Sequence, residues 1–177
     1  MSKWKSLYEA DLRRYGRSKV DPFIKRWDYL YRRCQCARGI KKNIYHILLL
    51  RHGAKRGIEI DYPVRIDKGL FLGHPYGITV NDKCKIGKNC NLSKGVTLGQ
   101  ENRGKRKGTP IIGSNVWIGV NATIVGNIRI GNDVLIAPNT YVNLDVPDHS
   151  IVVGNPAKVI FMENATQGYI NNVVEDE

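Results

Sequence analysis

What this chain lacks narrows its possibilities first. No stretch of its 177 residues reaches the roughly 18 uninterrupted apolar residues of a membrane span. Met1 to Lys5 does not read as a secretory leader, so a cytoplasmic location is expected. Cysteine is scarce: Cys34, Cys36, Cys84 and Cys90 form no pair of spaced Cys-x-x-Cys motifs and have no histidine cluster nearby. No metal is therefore expected, and reduced, partly buried thiols are the reading. Acidic residues are scarce in one region only. Residues 1–56 hold 16 Lys/Arg against 4 Asp/Glu, whereas residues 57–177 hold 12 of each, so the first third carries the whole net charge of +12. No helix-turn-helix, zinc-finger or RNA-binding signature accompanies that charge, and nucleic acid is not an expected partner. An anionic membrane surface, met peripherally from the cytoplasmic side, or an acidic glycan suits such a patch; the bland alternative is a solvated face.

The basic region, residues 1–56, reads as α-helical. Trp4, Leu7, Tyr8, Leu12 and Tyr15 suit one helix, and Phe23, Ile24, Trp27, Leu30 and Tyr31 a second. A third is expected through Asn43 to His52. Asp21-Pro22 reads as a helix start, with aspartate capping and proline in the first turn. Gly16, Gly39 and Gly53 mark breaks. His46 reads as structural, and His52 sits where it would complement a helix C-terminus.

From residue 57 a different period takes over. Ile112, Ile118, Ile124, Ile130, Ile136 and Val142 stand six apart, and Val116, Ala122, Ile128, Val134 and Thr140 follow four places after the first five. Val80, Ile86, Leu92 and Leu98 keep the same step earlier. Neither the helical period of 3.6 nor the strand period of 2 gives a spacing of six, so the chain must wind as a solenoid. Glycine follows the apolar residue at Ile86, Leu98, Ile112, Ile118 and Ile130. Asn81, Asn89, Asn115, Asn121 and Asn127 crowd the same turns, where corners favour glycine and then asparagine.

This repeat resembles that of the hexapeptide acyltransferases, over roughly residues 57–160. The resemblance implies a mainly β fold: a left-handed parallel β-helix behind the small helical region, with residues 161–177 as a C-terminal tail. It tightens at Leu72-Gly73-His74, Gly77-Ile78 and Val96-Thr97-Leu98-Gly99. These are similar to the stretch that carries the catalytic histidine in serine acetyltransferases and in the related sugar and polysaccharide O-acetyltransferases. Glu59, fifteen residues before His74, stands where serine acetyltransferases carry the aspartate that orients that histidine.

Chemistry asks for such a pair. An alcohol is too weak an acid to attack a thioester unaided, so a neutral imidazole must take its proton as the new bond forms. His74 is the expected general base, and Glu59 the group that holds its ring. His149, in the turn-rich segment Val146 to Ser150, reads as a turn residue.

The resemblance also implies acetyl-CoA as acyl donor. Gly119, Val120, Ala137 and Pro138 resemble the positions along which its pantetheine arm lies, and Lys158 is placed to reach a phosphate. The hexads are interrupted from Gln100 to Gly108, an insert holding Arg103, Lys105, Arg106 and Lys107 that should project as a loop. In relatives the matching loop lies over a cleft between subunits, so a homotrimer is expected. Gly73, Tyr76, Arg103 and Thr109 are the candidate acceptor-binding residues. Serine acetyltransferases carry Asp-His and Arg-His-Pro where this chain has Gly73-His74 and Gly108-Thr109-Pro110. Charged anchors for an amino acid are thus missing, and a carbohydrate hydroxyl is the expected acceptor, with serine as the alternative. A third reading, from another class, is a non-catalytic scaffold or anionic-surface binding module.

Overall fold

A computed structural model describes residues 2–16 and 20–175; Met1, Arg17, Ser18 and Lys19, and Asp176 and Glu177 of the tail, lie outside the described residues. Three helices come first: α1 (Lys3–Arg13), α2 (Pro22–Cys36) and α3 (Gly39–Gly53). Asp21 caps α2 as its sequence suggests, its Oδ1 accepting from the Phe23 amide at 2.8 Å. α3 starts at Gly39, four residues earlier than its apolar pattern indicates.

Five coils follow. The first contains β1 (Glu59–Ile60), β2 (Arg65–Ile66) and β3 (Phe71–Gly73), and the second β4 (Thr79–Val80), β5 (Lys85–Ile86) and β6 (Asn91–Ser93). The third contains β7 (Thr97–Gly99), β8 (Ile111–Ile112) and β9 (Val116–Ile118), and the fourth β10 (Thr123–Val125), β11 (Arg129–Ile130) and β12 (Val134–Ile136). The fifth has β13 (Tyr141–Val142), a bridge from Val146 to Ile130, and β14 (Ser150–Val153), against which β15 (Lys158–Phe161) turns back antiparallel. Equivalent strands stack in parallel into three sheets: β1-β4-β7-β10-β13, then β2-β5-β8-β11, then β3-β6-β9-β12-β14-β15. The fold is the left-handed β-helix class with a small helical region ahead of it.

The hexads are the core. Each short strand turns at least one residue inward, and Ile112, Ile118, Ile124, Ile130, Ile136 and Val142 fill the prism and are buried, as are Val116, Ala122, Val134 and Thr140. Corners need left-handed backbone, which Asn89, Asn115, Asp133 and His149 adopt on one edge, and Gly95, Asn121 and Asn139 on another. Gly87 answers a different need, because a Cβ there would meet the Gly113 carbonyl of the next coil at 2.5 Å.

A buried ion pair joins helices to solenoid. Arg32 and Asp11 are fully buried, with Arg32 Nε 2.6 Å from Asp11 Oδ2 and Nη2 2.9 Å from Oδ1. Arg32 also donates to the carbonyls of Ile66 and Asp67, while Asp11 accepts from the amides of Gly69 and Leu70. Each charge therefore caps the open first coil as well as its partner.

Beside this pair Asp28 is fully buried, and its Oδ2 has no hydrogen-bond partner. Burial pushes its carboxyl well above the usual range. Its folded form keeps a proton that the unfolded chain loses near pH 4, so its contribution to stability declines as pH rises above about 4. Asp28→Asn, which cannot ionise, should remove that slope. In paired thermal melts the wild type's stability relative to the variant should fall steadily from acid to neutral pH; a constant difference would show that Asp28 does not titrate in that range.

The tail straps the solenoid. Asp133 accepts from the amides of Ala165 and Thr166 and from Thr166 Oγ1, and stands 2.9 Å from His149 Nδ1. Further on, Asn91 Nδ2 donates to the Tyr169 carbonyl, and Asn89 exchanges two hydrogen bonds with Val174. The tail thus runs back from the fourth coil to the second. Cys34, Cys84 and Cys90 are buried and unpaired. No helix among the described residues is long and apolar enough to cross a membrane.

Candidate active site

His74 stands on an inserted corner. Gly73 pairs with Ser93 in the coil above, and beyond the corner the Gly95 amide donates to the Tyr76 carbonyl. The first coil therefore carries His74, Pro75 and Tyr76 where the second has Lys94 alone. That bulge is closed by the Tyr76 amide donating to the His74 carbonyl at 2.8 Å, with Pro75 buried and His74 itself at φ 50°. Its imidazole is exposed and makes no hydrogen bond to the described residues. An unengaged ring on a fixed corner can accept a proton from a bound hydroxyl.

The ring borders a cavity of about 620 Å³ between the third sheet, the helices and the tail. Gly73, Asn91, Ser93 and Trp117 come from the sheet, Arg14, Tyr15 and Asp21 from the helical region, and Tyr169, Asn171 and Asn172 from the tail. Arg14 is held by Asn91 Oδ1 at 2.7 Å and by the carbonyls of Gly69 and Asn171. The Tyr15 hydroxyl accepts from the Leu72 amide, and its ring packs 4.5 Å from Phe71. Asp21 Oδ2 is 2.6 Å from Arg56 Nη1, and that hydrogen bond holds its carboxyl below the usual range. Trp117 and Tyr169 meet edge to face with centroids 5.0 Å apart.

None of Arg14, Tyr15, Trp117 or Tyr169 stands out as a site residue in the sequence, because the segments that bring them together are far apart in the chain. Trp117 carried one usable signal: it occupies an outward strand position, where a solenoid does not need a large aromatic.

The other candidates fall into three groups. Gly119 and Val120, and Ala137 and Pro138, lie on the same edge as His74, in the corners after β9 and β12. The corner amides stack there, Asn121 donating to the Lys94 carbonyl and Asn139 to that of Val120. Lys158, exposed, begins the strand after the last corner of this edge. Four coil steps of roughly 4.8 Å separate the first corner from the last, so the edge runs about 19 Å from His74. Gly119 keeps it narrow, since a Cβ there would lie 2.7 Å from the Pro138 nitrogen.

Glu59 lies exposed on β1 under Thr79, whose Oγ1 is 3.5 Å from Glu59 Oε2, and it makes no hydrogen bond with His74. Tyr76 is exposed, with Arg56 stacked 4.9 Å over its ring. Arg103 and Thr109 belong to the insert between β7 and β8, at a different corner of the coil; Arg103 lines a separate hollow with Glu101, Arg106 and Asn143. Among the described residues no three His, Cys, Asp or Glu side chains gather as a metal site.

Residues 109–143 match the family described as bacterial transferase hexapeptide (six repeats). Serine acetyltransferase of Staphylococcus aureus (strain Mu50) is 38% identical over 112 residues, covering 63% of this chain and 53% of the relative. The Staphylococcus epidermidis protein of the same name is 39% identical over an equal length. The chain spans about half the length of these curated relatives. Among solved structures, the soybean serine acetyltransferase apoenzyme superposes with a TM-score of 0.76 at 30% identity, covering 89% of this chain and 69% of that one. The Neisseria gonorrhoeae serine acetyltransferase in complex with serine gives 0.71 at 31% identity with the same coverage. These relatives are named for serine, and the carbohydrate acceptor expected from the sequence gains no support from them. With repeat and coil in agreement, this chain belongs to the hexapeptide-repeat acyltransferases of the serine acetyltransferase type.

Proposed function

We propose that this chain is an acetyl-CoA-dependent O-acetyltransferase with His74 as its general base, and that serine is the acceptor to which its relatives point. One observation carries the reading: His74 is lifted on a corner insert, its ring unengaged, between a cavity able to hold an acceptor and an edge able to hold the donor. Acetyl-CoA supplies an activated acyl group and a thiolate leaving group. Gly119, Val120, Ala137 and Pro138 would line its pantetheine arm, and Lys158, about 19 Å from His74, would meet phosphate. The edge fits this use, being narrow where Gly119 stands.

His74 takes the proton of the acceptor hydroxyl as the oxygen bonds to the acyl carbon. It then gives that proton to the departing sulfur, so the ring ends neutral and one ester replaces one thioester. Glu59 would steady the imidazolium after its side chain turns from Thr79 toward the ring. Within one chain Arg103 and Thr109 stand at another corner from His74, which favours a trimer whose neighbouring loop closes the site. A cytoplasmic setting suits such a donor.

A second acceptor has a specific observation behind it. Gly73 and Gly108-Thr109 supply none of the charges that serine acetyltransferases carry there. The two charged groups in the cavity are already engaged, Asp21 by Arg56 and Arg14 by Asn91. What remains is the aromatic pair Trp117 and Tyr169, with Ser93 and Asn171 beside it, a lining that suits a sugar ring. Thiol release measured with serine beside free, nucleotide-linked and oligomeric sugars separates the readings. Turnover with serine alone supports the first, and turnover with a sugar alone the second. Release that no acceptor stimulates would overturn both and favour a non-catalytic scaffold.

A further inference from the structure

We propose that the outward face of α3 seats on an anionic lipid surface. The helix is built inside out. Its inner side is mixed: Leu49 is buried and Tyr45 packs against the core and edge-on to Tyr29, while His46 stands 2.8 Å from Asp61 and His52 Nε2 is 3.0 Å from the Phe23 carbonyl. Its outer side is apolar, with Ile40 79%, Ile44 51%, Ile47 56% and Leu48 39% exposed. Their spacing of four, three and one places all four on a single stripe. A helix that turns its isoleucines to water has a use for them.

Charge identifies the occupant. α3 contains no Asp or Glu, and Arg38, Lys41 and Arg51 are exposed around the stripe. Of the four carboxylates in residues 1–56, Asp11 and Asp28 are fully buried, Asp21 is paired with Arg56 and Glu9 with Lys5. The surface is therefore almost purely cationic. A second copy meeting this face by twofold symmetry would set that cationic surface against itself, which disfavours self-association. A nucleic acid would satisfy the cations and leave the isoleucines in water. An anionic bilayer meets both needs, taking the stripe into its interfacial layer while the lysine and arginine heads stay at headgroup level. The inference stands on residues outside the catalytic cavity and edge, and does not depend on which acceptor is used.

The full chain can be sedimented with vesicles of phosphatidylcholine alone or mixed with phosphatidylglycerol. Binding should be at least about tenfold stronger to the anionic vesicles and should weaken with salt. Ile44→Asp with Ile47→Asp, both at exposed positions and so compatible with an unchanged melting temperature, should lower it by about tenfold or more. Equal binding to both vesicles, or undiminished binding of the variant, would overturn the proposal. So would a lower particle mass of the variant in light scattering, which would assign the stripe to a second copy.

Discussion

His74→Asn is expected to lower kcat/KM for acyl transfer by at least about a hundredfold, the usual scale for removing a general base. Asparagine is the informative replacement. His74 sits at φ 50°, and asparagine already holds that backbone region at Asn89, Asn115, Asn121 and Asn139. The corner should survive, and an unchanged melting curve would confirm it, so lost turnover could be assigned to the imidazole rather than to strain. His74→Ala lacks that safeguard. Turnover retained by a folded Asn variant would place the base elsewhere.

Asp11→Ala should destabilise the chain by about 3–5 kcal/mol, the range for removing one partner of a buried ion pair. The change leaves the Arg32 guanidinium buried and half-satisfied, and strips the amides of Gly69 and Leu70 of their acceptor. Denaturant unfolding measures the loss directly. Replacing Asp11 and Arg32 together by apolar residues should cost less than Asp11→Ala alone, because no charge is then stranded. If the single change costs less than about 1 kcal/mol, water reaches Arg32 and the pair is not a buried clasp.

The solenoid is legible in the sequence because its determinant is local. An inward apolar residue at the same place in each successive short strand sets a period of six, and every member of the series from Ile112 to Val142 is buried. Corner asparagines are partly legible: Asn89, Asn115 and Asn121 adopt the left-handed backbone, whereas Asn81 instead accepts from the Lys83 amide through its side chain. His74 is visible as a histidine where the hexads falter. Its cavity is not, since Arg14 and Tyr15 reach it from one end of the chain and Tyr169 from the other, and no spacing rule links them to Trp117. α3 is legible as a helix but its orientation is not: the stripe of Ile40, Ile44, Ile47 and Leu48 is exposed, whereas Tyr45, His46, Leu49 and His52 meet the rest of the protein. Substrate is the least legible property. The missing Asp and Arg-His favour a sugar, while the relatives carry the name of serine acetyltransferase.

The most direct test of the central claim is a stoichiometry. Acetyl-CoA labelled in its acetyl group is incubated with the protein and an acceptor, and released thiol and labelled ester are counted together. One ester per thiol, both strictly dependent on acceptor and both lost in His74→Asn, is the expected result. Thiol released without ester, or the same yield with and without acceptor, would contradict an O-acetyltransferase with its base at His74.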